Sequence, residues 1–167
     1  MKRVIKIVLV IMFTFLLCYV NTTYAFSFSD SQFKEFNDSE IKRYFDLSKL
    51  YHNYSLGMTY DVSGEMRTYI DLEDYKIQIT YYKEDGSVER VKEYDVDTIC
   101  RRYTKKKKLS AGDFLKIDVQ EHCGFINPPK VKLESGQVVD WPSEESCIIK
   151  SFKITKISGK VKKYQVD

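Results

Sequence analysis

The sequence predicts an α+β fold: an N-terminal helix packed on an antiparallel β-meander, followed by further β-hairpins, with room for two packed sheets. Three observations carry that expectation. Apolar residues recur at helical spacing after Asn37. The period switches to two after Gly57. Short pairs such as Ser63-Gly64, Glu73-Asp74 and Ser158-Gly159 then punctuate the alternating stretches in the manner of hairpin turns.

The chain opens MKRVIKIVLVIMFTFLLCYVNTTYA. Lys2, Arg3 and Lys6 form a basic start, residues 7–20 an apolar run broken only by Thr14, and Thr23 and Ala25 supply small residues for a cleavage site. The run is shorter than the roughly 20 apolar residues a spanning helix needs. Residues 1–25 are therefore expected to be a secretory signal of bacterial type, and residues 26–167 a single mature α+β domain. Lipidation at Cys18 is disfavoured by bulky Leu17. Destination outside the cytosol, periplasmic or secreted, follows.

Helix comes first in the mature chain. Asn37 and Glu40 have capping-box spacing, Ile41, Tyr44, Phe45 and Ser48 mark one face, Lys49 and His52 suit a last turn, and Gly57 a stop. A shorter helical turn is expected around residues 32–36. Four strands of a meander follow: 58–62, 66–72, 75–82 and 88–94, the last entered through the KEDGS loop. Val96, Ile99, Cys100 and Tyr103 then fall on one face of a short helix behind an Asp cap, with Arg101 and Arg102 outward. Beyond it come a strand at FLKIDVQ, a hairpin across Ser135-Gly136, a WPSEES loop, and a closing hairpin turning at Ser158-Gly159.

Charge is informative once the signal is set aside. The whole chain holds 27 basic and 24 acidic residues; without Lys2, Arg3 and Lys6 the balance is zero. The halves differ, however, with −7 over residues 26–99 and +7 over residues 100–167. Such asymmetry marks either a polyanion partner or one half facing the other across a fold. The stretch from Arg101 to Lys108 concentrates the excess in Arg101, Arg102, Lys105, Lys106, Lys107 and Lys108. It reads first as a solvated loop, and second as a surface for lipid headgroups, lipopolysaccharide or an acidic protein. Nucleic acid is disfavoured because the mature chain is neutral and Tyr103 is phased toward the core. Lysines at 150, 153, 156, 160, 162 and 163 read as protection of an edge strand.

Three cysteines follow the signal. In an oxidising compartment two should join. Sequence leaves all three pairings open; Cys123–Cys147 is preferred because Cys100 already has a place as a small buried hydrophobe. Catalytic signals are thin. His52 and His122 are the only histidines, His122 and Cys123 are neighbours that point to opposite faces of a strand, and Glu73-Asp74 and Glu144-Glu145 sit in expected turns. No metal-ligand spacing, phosphate loop or cofactor motif is present. Sequons at Asn37 and Asn53 are discounted for a bacterial signal, and Tyr69, Tyr82 and Tyr94 are expected on or near the polar sheet face. The expected function is a secreted or periplasmic, non-catalytic protein-interaction module of inhibitor, immunity, envelope-accessory or virulence-factor type. A protein partner in the envelope or outside the cell is expected. The alternatives are a small secreted hydrolase or toxin with a site assembled from distant residues, and a lipid or small-ligand binder.

Overall fold

A computed structural model describes residues 31–55, 59–141 and 143–166. The expected signal peptide lies outside the described residues. Strands dominate: β1 (Ser31–Phe36), β2 (Phe45–Ser55), β3 (Thr59–Thr68), β4 (Leu72–Tyr82), β5 (Val88–Asp95), β6 (Lys108–Leu109), β7 (Phe114–His122), β8 (Lys130–Lys132), β9 (Val138–Asp140) and β10 (Ser151–Lys162). Two short helices, α1 (Asp38–Tyr44) and α2 (Val96–Ile99), interrupt them. One sheet runs β1-β10-β4-β5, with β6 also paired to β4; a second runs β2-β3-β7; β8 and β9 form a separate hairpin. Inward residues of both large sheets share one core, among them Tyr60, Val62, Ile117 and Val119 facing Ile77, Tyr81, Ile154 and Ile157.

This corrects the expected fold class. The molecule is mostly β, and no helix covers a meander. The cap at Asn37 forms as expected, its side chain accepting from Ser39 and Glu40 N–H groups while the Glu40 carboxylate accepts from Asn37 N–H. The helix nevertheless ends at Tyr44 after seven residues. Its continuation, residues 45–55, instead pairs with β3 from Phe45↔Thr68 to Ser55↔Thr59. A bulge between Asp46 and Lys49 explains the misleading period. Phe45 before it and Leu47 within it meet the core; after it Leu50 and Tyr54 do. The inward set switches from odd to even, which erases strict alternation and leaves spacings that resemble a helix. So short a helix is marginal on its own in water, and the ladder to β3 wins. Residues 32–36 are likewise strand, paired to β10.

The meander fails because two expected turns lie inside strands. Ser63 and Gly64 are mid-β3, and a Cβ on Gly64 would collide with the Lys49 carbonyl at the bulge. Glu73 and Asp74 belong to β4. The real corner is residues 69–71, where the Thr68 hydroxyl donates to Ile70 O at 2.7 Å and Tyr69 N–H donates to Tyr44 O. That corner carries the chain from one sheet to the other, so β3 and β4 are never neighbours. Ser158 and Gly159 make a bulge within β10 rather than a hairpin, with Gly159 pressed against Leu72, Glu73 O and Tyr75. The KEDGS loop, the strand from Phe114 and the Ser135-Gly136 hairpin form as read.

Candidate functional site

The basic run lies along the open edge of β7. Asp95 caps α2 as expected, but the helix stops at Ile99, and Cys100 bridges to Asp118 instead. Arg101 N–H donates to Asp118 O at 3.2 Å, and the Arg101 side chain reaches Gln120 Oε1. Arg101 and Arg102 approach the buried Asp118 carboxylate at 3.9 and 3.4 Å. Lys105 pairs with Asp97 at 3.3 Å and Lys106 with Asp113 at 3.9 Å. Lys107 and Lys108 have no carboxylate partner among the described residues; Lys107 O accepts from Asp74 N–H, and Lys108 enters β6. Tyr103 departs from expectation. It is exposed, with Lys116 Nζ 4.8 Å above its ring, because the chain has already left helical phase.

Elsewhere the charge asymmetry closes on itself. Lys153 pairs with Asp38, Lys156 with Glu35, Lys160 with Asp74 and Lys162 with Asp71, at 2.7 to 3.1 Å. In each pair a C-terminal lysine of β10 meets a carboxylate of the N-terminal half. Hydrogen bonds from these lysines hold Asp38, Asp71 and Asp74 below the ordinary carboxylate range. β10 itself is interior to its sheet, between β1 and β4. Its lysines are therefore cross-strand partners and not edge protection.

Between the sheets sits a polar cluster that sequence reasoning missed. Tyr81 and Tyr94 hydroxyls are 2.8 Å apart, and Tyr94 donates to Glu121 at 2.5 Å. Glu121 is buried on β7 and also meets Arg90 at 3.3 Å and Lys92 at 3.1 Å, both reaching inward from edge strand β5. Burial, before any neighbouring charge, pushes both phenols well above their usual range. Tyr94 is thus core and not surface; Tyr69 alone of the three expected surface tyrosines is well exposed. The signal was the apolar-face phase shared by Tyr81 in β4 and Glu121 in β7, visible only once β5 and β7 were known to face each other.

The last arrangement is an arm. Cys123 and Cys147 are bonded, Cα atoms 5.3 Å apart. Such a bond is what an oxidising compartment sustains. Around it Gly124 O, Phe125 and Ile126 N–H are laced to Ile148 N–H, Cys147 and Ser146 O. From this root the β8–β9 hairpin projects, closed by Trp141 N–H to Pro129 O and Leu133 N–H to Gln137 O. At the root His52, Tyr54, Pro129, Ser143, Glu144, Glu145 and Lys150 line an open cleft of about 690 Å³. Tyr54 donates to Ile149 O, and the Lys150 ammonium donates to Glu144 O and Glu145 O. His52 stacks on Tyr60 at 5.0 Å and His122 meets Phe125 edge-on at 6.1 Å. Neither imidazole hydrogen-bonds a carboxylate or hydroxyl among the described residues. Cys100 is buried, its thiol donating to Lys116 O, and burial pushes its pKa up to about 11, with Asp118 adding to the shift. No helix among the described residues is long and apolar enough to cross a membrane. No protein-family model, curated protein or solved structure matches this chain.

Proposed function

We propose that this chain is a secreted or periplasmic, non-catalytic interaction module that presents the β8–β9 arm to a protein partner. One observation carries the reading. Ile126, Val131, Leu133, Val138 and Trp141 are all exposed on the arm or its root, and Trp141, the only tryptophan of the chain, is 58% exposed. An isolated two-stranded hairpin is barely stable in water, so apolar residues placed there do little for folding. Trp and large aliphatic residues are the anchors that dominate protein interfaces. The disulfide-laced root limits the arm's freedom and so reduces the entropy lost on docking.

Charge favours a protein over a lipid surface. The arm carries Lys130 and Lys132 against Glu134 and Asp140, with Lys130 directly opposite Asp140. Its tip, from Glu134 to Gln137, is polar. Bilayer insertion would bury that tip, whereas an apolar protein groove can grip the flanks and leave the tip wet. The signal-like start read from the sequence and the disulfide support a site of action outside the cytosol.

A photoreactive residue at Val138 tests this. The expected result is one discrete cross-linked protein, competed by excess unlabelled chain and lost with Trp141→Ala. A cross-linked second copy, an adduct with lipid alone, or an adduct indifferent to Trp141→Ala would overturn it.

A further inference from the structure

We propose that the outer face of β2-β3-β7, with the segment 101–108 along its edge, binds an acidic polysaccharide. The register defines the face. Tyr51 lies opposite Ser63, Lys49 and Lys116 flank Glu65 on its two sides, and Arg67 lies opposite Phe114. Four aromatic rings border it while remaining open to solvent: Tyr51, Tyr69, Tyr103 and Phe114 are between 42% and 59% exposed. Cations alternate with these rings. Arg67 lies 5.4 Å over Phe114 and 5.5 Å over Tyr69, Lys49 lies 5.3 Å over Phe114, and Lys116 covers Tyr103.

Lys49 pairs with Glu65 at 3.8 Å, but two cations of this face differ from those of β10. Arg67 and Lys116 make no ion pair with a carboxylate among the described residues, so their charge is available to a ligand. Arg101 and Arg102 are held against β7 by Asp118, whose Oδ2 is buried without a hydrogen-bond donor. Asp118 belongs to the same face, opposite Ser63, and holds both guanidinium groups along the β7 edge. Guanidinium matches carboxylate geometry in a bidentate pair. Exposed rings offer flat surfaces on which the C–H face of a sugar can lie.

Nucleic acid fits less well. A duplex places one phosphate per strand every 3.4 Å or so of helix axis, and this face includes Asp61, Glu65, Asp118 and Asp46, the last opposite Arg67. An acidic glycan spaces its carboxylates more widely and so tolerates interspersed acids. This surface is separate from the arm, and its failure would leave the arm's role standing.

The test titrates the purified protein with a hyaluronan octasaccharide, a neutral dextran oligomer and dT12, following amide shifts by NMR. Saturable, salt-sensitive shifts confined to β2, β3, β7 and residues 101–108 are expected with the acidic sugar alone. Arg67→Gln with Lys116→Gln should weaken binding about tenfold or more, with the rest of the spectrum unchanged; both side chains are exposed, so the fold survives. Tyr103→Ala should weaken it separately. No binding of the acidic sugar, equal binding of dextran, tighter binding of dT12, or an unaffected double variant would each overturn the proposal.

Discussion

β10 and the β8–β9 arm are both rich in lysine and aliphatic residues, yet the fold treats them oppositely. In β10, Ile154, Ile157 and Val161 are buried and the lysines between them reach carboxylates on β1, α1, β4 and the corner that follows β3. In the arm, Val131, Leu133, Val138 and Trp141 face solvent, and β8 and β9 pair only with each other. The difference teaches where the shared core ends and which apolar surface the chain leaves uncovered. β10 satisfies itself within the chain. The arm does not.

Substitutions should separate the two regions by size of effect. Ile157→Ala removes a fully buried side chain from the shared core. It is expected to lower the unfolding free energy by about 2–5 kcal/mol in guanidinium titration. Cys123→Ser with Cys147→Ser opens a loop of 24 residues at the arm's root. A loss of about 3 kcal/mol is expected on the chain-entropy argument, together with faster amide exchange in the arm than in β10.

A third, smaller effect appears with alkali. The Cys100 thiol is raised from 9.0 to about 11 in the folded chain. The unfolded chain therefore releases that proton first, so stability is full below the unfolded value and declines as pH rises toward 11. Tyr60, Tyr75, Tyr81 and Tyr94, all raised by burial, act in the same direction above pH 10. The unfolding midpoint should fall between pH 9 and 11, and Cys100 should react with a thiol reagent only at the unfolding rate. Rapid labelling of native protein at neutral pH would contradict its burial.

Much of this architecture was readable where one local rule acted alone. The caps at Asn37 and Asp95, the KEDGS loop, the alternation of Leu115, Ile117 and Val119, and the Ser135-Gly136 hairpin each depend on neighbours close in sequence. Illegible features required two distant segments at once. Gly64 looks like a turn glycine, yet its lack of a side chain serves the Lys49 bulge across the sheet. Gly159 similarly admits Leu72 and Tyr75. The Phe45 strand hid its period behind that bulge, and the charge halves allowed two meanings until Lys153, Lys156, Lys160 and Lys162 were seen against their partners. Of the candidate sites, the basic run was visible as composition, while its alignment with Phe114, Arg67 and Lys116 depended on register. The arm's exposure was not visible, because Val131, Leu133 and Trp141 look like ordinary strand residues until nothing packs over them.

The smallest stability effect is also the most telling. Val131→Ser, Leu133→Ser, Val138→Ser and Trp141→Ser combined should leave the guanidinium midpoint of the isolated protein within roughly 0.5 kcal/mol per site of the parent, with the m-value unchanged, if the arm's apolar surface lies outside the core. A loss of several kcal/mol, comparable to Ile157→Ala, would mean that these residues pack within the folded chain and are not held out for a partner.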